Sequence, residues 1–263
     1  MRRSLLVGIA FAAAALGGAA HAEITKVVIE SRMPVPGTFG PAGAYEVISG
    51  HVYGEVDPKD PKNAIIQDIA LAPRNARGKV EYSTTFALSK PADMSKASGF
   101  LFYDVPNRGN MRVGGDADGR MHLTSGWQGD IPPAPALQTA SFPVAKNANG
   151  TPIVGPALAR FVNMPAGSQS RPLRGGINEG VPRPSPATLD TTKATLVRHK
   201  VDGDAGQAIP ASDFAFADCT KTPFPGTPDP TQLCVKGGFD TAYAYDLTYQ
   251  AKDPVVMGLG YAA

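Results

Sequence analysis

From Ala44 to Val56 (AYEVISGHVYGEV) apolar and polar residues take turns for several pairs, the two-residue period of a strand with one face on a core. Ile24–Ser31 (ITKVVIES) is rich in β-branched residues and predicts a strand before it. Between the two, Pro34, Pro36, Gly37, Gly40, Pro41 and Gly43 predict a turn-rich connection. Ala64–Leu71 (AIIQDIAL) and Lys79–Leu88 (KVEYSTTFAL) continue the series across the loop 72–78. Four early strands spaced by turns predict an antiparallel sheet.

Gly99–Val105 (GFLFYDV) breaks the alternation, being apolar throughout except for Asp104, which predicts a strand buried on both faces. It runs into the polar loop Pro106–Asn110. Met121–Ser125 is a second such segment, followed by Gly126-Trp127-Gln128-Gly129-Asp130. Loops after buried strands are where an α/β sheet places ligand-contacting groups. Beyond Ile131, prolines and glycines crowd the sequence. Strand candidates recur at Ile153–Val162, Thr192–Val201, Asp213–Ala217 and Ala242–Tyr249, so 131–250 reads as a Pro/Gly-rich β insertion or second layer. At the end, Asp253 as N-cap and Pro254 at the first position predict the opening turn of an apolar helix over 251–263, with an exposed apolar edge near Val255–Ala263.

The first residues change the picture of what is being folded. Arg2 and Arg3 precede an apolar run from Leu5 to Leu16, and Ala20-His21-Ala22 supplies a small-x-small cleavage pattern. Residues 1–22 therefore read as a secretory signal, cut between Ala22 and Glu23, and the run is too short for a bilayer-spanning helix. The expected location is periplasmic or secreted, with no membrane partner once the signal is gone. The chain carries 25 Lys+Arg against 23 Asp+Glu; without Arg2 and Arg3 the balance is 23 to 23. A neutral protein lacks the basic surface that nucleic acid demands. Cys219 and Cys234, the only cysteines, predict one disulfide in an oxidising compartment. With 29 Gly and 25 Pro, long helices are not expected.

The sequence is poor in complete catalytic motifs. No G-x-S-x-G, S-x-x-K, H-E-x-x-H, Walker or dinucleotide pattern occurs in it, so no nucleophile is assigned and no cofactor or metal is expected. His51 and His199 sit in alternating strands, where an exposed strand histidine is the simpler reading. His122, beside a buried strand, could work with Asp130. Asn107-Arg108-Gly109-Asn110 offers the strongest chemistry: amides around a glycine after a buried strand can present donors to an oxyanion. The same residues also make a turn held by asparagine side chains. Trp127 and Gln128 could line a pocket beside it, or Trp127 could be a core residue.

At these loops a resemblance emerges. YEVISGHVYGEVDPKDPKNAIIQDIALAPRNARGKVEYSTTFAL, FLFYDVPNRGN, SGWQGD and KDPVVMGLGYAA resemble, in that order, the N-terminal part of a bacterial exported α/β-hydrolase-domain family. The resemblance runs from about Ile24 to Ala263. It implies an incomplete α/β-hydrolase-like fold, with 23–130 as its N-terminal, mostly antiparallel strands. It also implies that GLGYAA opens a helix, and that Asn107–Asn110 helps build the oxyanion region for a small-molecule ester substrate. The nucleophile, acid and histidine would lie on a missing C-terminal half, leaving this part inactive alone. The alternative is a secreted β-rich ligand-binding module without catalysis.

Overall fold

The computed structural model describes residues 22–111, 113–175 and 181–261; the reading of residues 1–21 as a signal lies outside them. The first strand, β1 (Glu23–Phe39), does not stop where the prolines predict a turn. It pairs antiparallel with β2 (Gly43–Val56) along its length, with register shifts near Ile24, Ile29 and Val35. Pro34 and Pro36 are tolerated because β1 is an edge strand and need not donate outward. The turn falls later, on Gly40–Ala42.

β2 pairs in turn with β3 (Val80–Pro91), from Val56 opposite Val80 to Tyr45 opposite Pro91. Beyond β3 lies β5 (Met121–Ser125), and outermost β4 (Leu101–Asp104), which runs parallel to β5 from Leu101↔Met121 to Asp104↔Thr124. The short β6 (Ala140–Ser141) adds to β3 beside Ser83 and Thr84. The sheet order is β1-β2-β3-β5-β4.

Two expectations for this half fail for physical reasons. Ala64–Leu71 is not a strand but two 3₁₀ turns, Pro61–Ile65 and Ile69–Leu71. Asp60 caps the first by accepting from the Lys62 N–H at 2.8 Å, and the buried residues Ile66, Ile69 and Ala72 recur every third position. Gly99–Val105 is not buried on both faces. As the edge of the sheet it has a neighbour on one side only, and Phe100 is 71 % and Phe102 58 % exposed. The apolar end is divided: Val256 and Leu259 are buried against Val56, Val80 and Tyr82, while Val255, Met257 and Tyr261 stay exposed. No apolar helix begins at Pro254. Asp253 has a left-handed backbone (φ 57) and binds Lys146 Nζ at 2.5 Å instead of capping, and only a 3₁₀ turn, Met257–Tyr261, follows.

Residues 154–252 build a second core. β7 (Val154–Phe161) is followed by β8 (Ser170–Pro172), β9 (Arg174–Gly175), β10 (Val181–Pro182), β11 (Thr195–His199) and β12 (Gln207–Ile209). Then come β13 (Phe214–Ala215), β14 (Ala217–Asp218), β15 (Thr227–Pro228), β16 (Gln232–Val235) and β17 (Ala244–Lys252). The sheet β12-β11-β17-β7 packs Leu196, Leu247, Phe161, Tyr245 and Tyr249 against Phe214, Leu233 and Phe239, residues of and around the sheet β13-β16-β8. Cys219, just past β14, is disulfide-bonded to Cys234 on β16. On the outer face of the β7–β17 pair, Arg160 grips Asp246 through two 2.7 Å bonds, which hold that carboxyl below its ordinary range.

The architecture thus corrects the α/β-hydrolase-like expectation. Among the described residues every helical element is a 3₁₀ turn of three to five residues, and the strands form several antiparallel sheets. There is no central parallel sheet flanked by helices; β4–β5 is the one parallel pair among the described residues. Glycine and proline recur too densely for helical runs, while the alternating segments each find an antiparallel neighbour. No helix in the described part is long and apolar enough to cross a membrane.

One buried hydroxyl tests the accounting. Thr124 on β5 is 1 % exposed and its Oγ1 has no hydrogen-bond partner among the described residues. Exchanging it for an isosteric methyl removes an unsatisfied group, so Thr124→Val should leave stability unchanged or raise it by about 1 kcal/mol in urea unfolding. A loss of more than about 1 kcal/mol would show that the hydroxyl is bonded in solution.

Candidate functional site

The parallel register of β4 and β5 matters because both strands then release their chains at the same end of the sheet. Pro106–Asn110 leaves β4 and Gly126–Asp130 leaves β5, so loops about twenty residues apart in sequence are neighbours in space. They are cross-braced. Trp127 Nε1 donates to the Pro106 carbonyl at 2.8 Å, the Arg108 N–H donates to Gln128 Oε1 at 2.9 Å, and Arg108 Nη1 reaches both Asp130 oxygens at 3.0 Å.

The bend that allows this sits at two consecutive left-handed residues, Arg108 (φ 54) and Gly109 (φ 73). Gly109 is also pressed against the chain at Gln138, whose N–H donates to its carbonyl at 2.7 Å. A Cβ on Gly109 would lie 2.3 Å from the Gln138 carbonyl oxygen.

The third segment, Met257–Tyr261, closes the other side. Gly260 lies so near Trp127 that a Cβ there would come within 2.1 Å of the Trp127 carbonyl oxygen, so only glycine lets the two backbones meet. Trp127, Gln128, Asp130, Met257, Gly258, Gly260 and Tyr261 together line a small cavity of about 260 Å³. The structure therefore gathers Asn107, Arg108, Gly109, Asn110, Trp127 and Gln128 into one place, with residues from the chain's far end.

Chemically, the loop is largely occupied with itself. The Arg108 N–H is taken by Gln128, and the Asn110 N–H and carboxamide both bond the Asn107 carbonyl, at 3.2 and 2.8 Å. The Asn107 side chain alone among these amides is exposed and without a partner among the described residues. As it stands the arrangement offers a ligand one carboxamide and the indole edge, with the Arg108 charge neutralised by Asp130.

Sequence reasoning missed Asp130 as the partner of Arg108 and Met257–Tyr261 as a wall. The signal for the first was opposite charges at equivalent places after two adjacent strands. The histidines stand elsewhere. His122 does not meet Asp130; it bonds Asp116 at 3.1 Å. His51 pairs with Glu30 at 2.8 Å, and His199 with Asp204 at 2.8 Å. Among the described residues no three His, Cys, Asp or Glu side chains are grouped to hold a metal. Comparison with family models, curated proteins and solved structures finds no match for this chain.

Proposed function

We propose that this chain is the exported, non-catalytic part of an ester-hydrolysing protein, working with a nucleophile-bearing segment that seats on the open edge of β4. The observation that carries the reading is the state of that strand. Phe100, Leu101, Phe102, Tyr103 and Val105 are all exposed at the rim of a sheet whose next loops form the candidate site. A run of large apolar side chains on an unpaired edge asks to be covered. A segment added there would stand next to Asn107 and Trp127. The motif resemblance supplies the ester class, and the sequence itself holds no nucleophile elbow. Export is supported by the leader pattern, by the disulfide, and by the start of β1 at Glu23, the expected first residue after cleavage.

The test is direct. The purified chain from Glu23 onward, offered p-nitrophenyl butyrate, should show no turnover above buffer and no labelling by a fluorophosphonate. Robust turnover, or a labelled serine, overturns the division of labour proposed here. A second reading, a ligand-binding module, draws on a larger cleft beside the candidate site, considered next.

A further inference from the structure

The face of the first sheet that carries His51 and Thr85 has an open cleft of about 600 Å³, within the size of small-molecule sites. Its floor is set by register: His51 of β2 lies directly across from Thr85 of β3, and Ser83 of β3 across from Ser141 of β6. Directly paired residues share a face, so His51, Thr85, Ser83 and Ser141 project together. One side is the loop after the candidate site, where the exposed residues Pro133, Ala134 and Pro135, with Leu137, border the cleft. Pro132, Pro133 and Pro135 fix much of that backbone in advance, which lowers the entropy lost on binding. Phe142 and Val255 form an apolar end wall, and Gly129 joins the cleft to the candidate site.

The polar groups define what fits. His51 is the one ionisable side chain in the lining, and its Nδ1 is taken by Glu30. The Thr85 hydroxyl is spent, donating to Gln138 Oε1 at 2.7 Å and accepting from the Thr139 N–H at 2.9 Å. The Thr84 hydroxyl is bonded to the Gly126 carbonyl. That leaves the Ser83 and Ser141 hydroxyls, which have no partner among the described residues. Two hydroxyls without a partner among the described residues, on half-buried Ser83 and exposed Ser141, in an otherwise apolar, largely uncharged cleft match a ligand with one carbonyl acceptor and an alkyl body.

We infer that this cleft is a binding site for a medium-chain acyl group, its carbonyl oxygen accepting from Ser83 and Ser141 and its chain lying along Pro133–Leu137. The lining chemistry sets the ligand class; the biological use of the site, holding the acyl part of an ester, rests on the ester-hydrolysis reading.

Isothermal titration of the chain from Glu23 onward with methyl hexanoate and, separately, with hexanoate tests it. The methyl ester should bind saturably at one site, and hexanoate at the same site less tightly, because its ionised carboxylate has to be desolvated. Ser83→Ala with Ser141→Ala should weaken binding of each by about tenfold, the weight of two modest hydrogen bonds. Ala134→Trp, at an exposed position in the lining, should abolish it while the protein still melts cooperatively. No saturable binding overturns the inference, as does binding that neither variant moves. Binding of hexanoate without its methyl ester overturns it too, pointing to a charge site at His51. The two proposals part cleanly. A chain that binds methyl hexanoate and also hydrolyses it keeps the cleft and loses the division of labour; a chain that does neither keeps the division of labour and loses the cleft.

Discussion

Gly109→Ala should cost about 2–5 kcal/mol and dismantle the candidate site. The left-handed backbone at Gly109 (φ 73) charges any L side chain roughly 1–2 kcal/mol. The new Cβ would also stand 2.3 Å from the Gln138 carbonyl oxygen, and making room inside packed structure costs a further ~1–3 kcal/mol. Gln138 cannot yield cheaply. It is buried, its side chain accepts from Thr85, and its N–H donates to Gly109. Trp127, the single tryptophan, is tied to Pro106 in the same loop, so the variant's emission should shift toward that of a solvated indole. Urea unfolding followed by this emission reads both effects. Asn107→Ala, at an exposed and unbonded side chain, serves as the control and should lie within about 0.5 kcal/mol of the parent. A Gly109→Ala variant equally close to the parent would show that the loop is not held as described.

Loss of the disulfide should be felt on a similar scale. Cys219 and Cys234 are 15 residues apart and both buried; opening a loop of that length releases roughly 3 kcal/mol of chain entropy to the unfolded state. The double replacement Cys219→Ser with Cys234→Ser should lower the melting temperature by about 6–12 °C, taking 2–4 °C per kcal/mol for a chain of this size. Reduction of the parent protein should reproduce the shift. An unchanged melting temperature after thiol titration has confirmed full reduction would refute it. The small cluster around Ala217 and the disulfide is separate from the main cores, and Cys234 joins it to the central strand of the sheet β13-β16-β8.

How much of this was legible in the sequence depended on whether a segment's neighbours were local. Ala44–Val56 and Lys79–Leu88 announced themselves because alternation is a property of one strand with one buried face. The candidate-site residues were also readable, since loops that follow apolar strands are where side chains become available. Burial was not. Phe100–Val105 looks like an interior strand by composition, but whether such a run is covered depends on what lies beside it, which its own residues do not encode. Ala64–Leu71 misled for another reason: its apolar positions fit a period of three, and short apolar runs are ambiguous between strand and turn. The long reach of β1 through Pro34 and Pro36 required knowing that it lies on an edge. The α/β expectation came from motif resemblance alone, and the glycine and proline content already argued against helices.

The parallel setting of β4 has a consequence for timing. An antiparallel neighbour can be delivered by a tight hairpin, but a parallel neighbour needs a crossover of a dozen or more residues, or another molecule. The β1–β2 hairpin can therefore close as soon as its residues emerge, whereas β4 has to wait for the crossover 105–120 that leads to β5, and its outer edge stays open. If a separate segment covers that edge as proposed above, the fate of each copy becomes a contest between two encounters, one with that segment and one with another copy like itself. Under that proposal, yield of the assembly should fall as the chain is made faster than its cover, even though every copy has folded correctly.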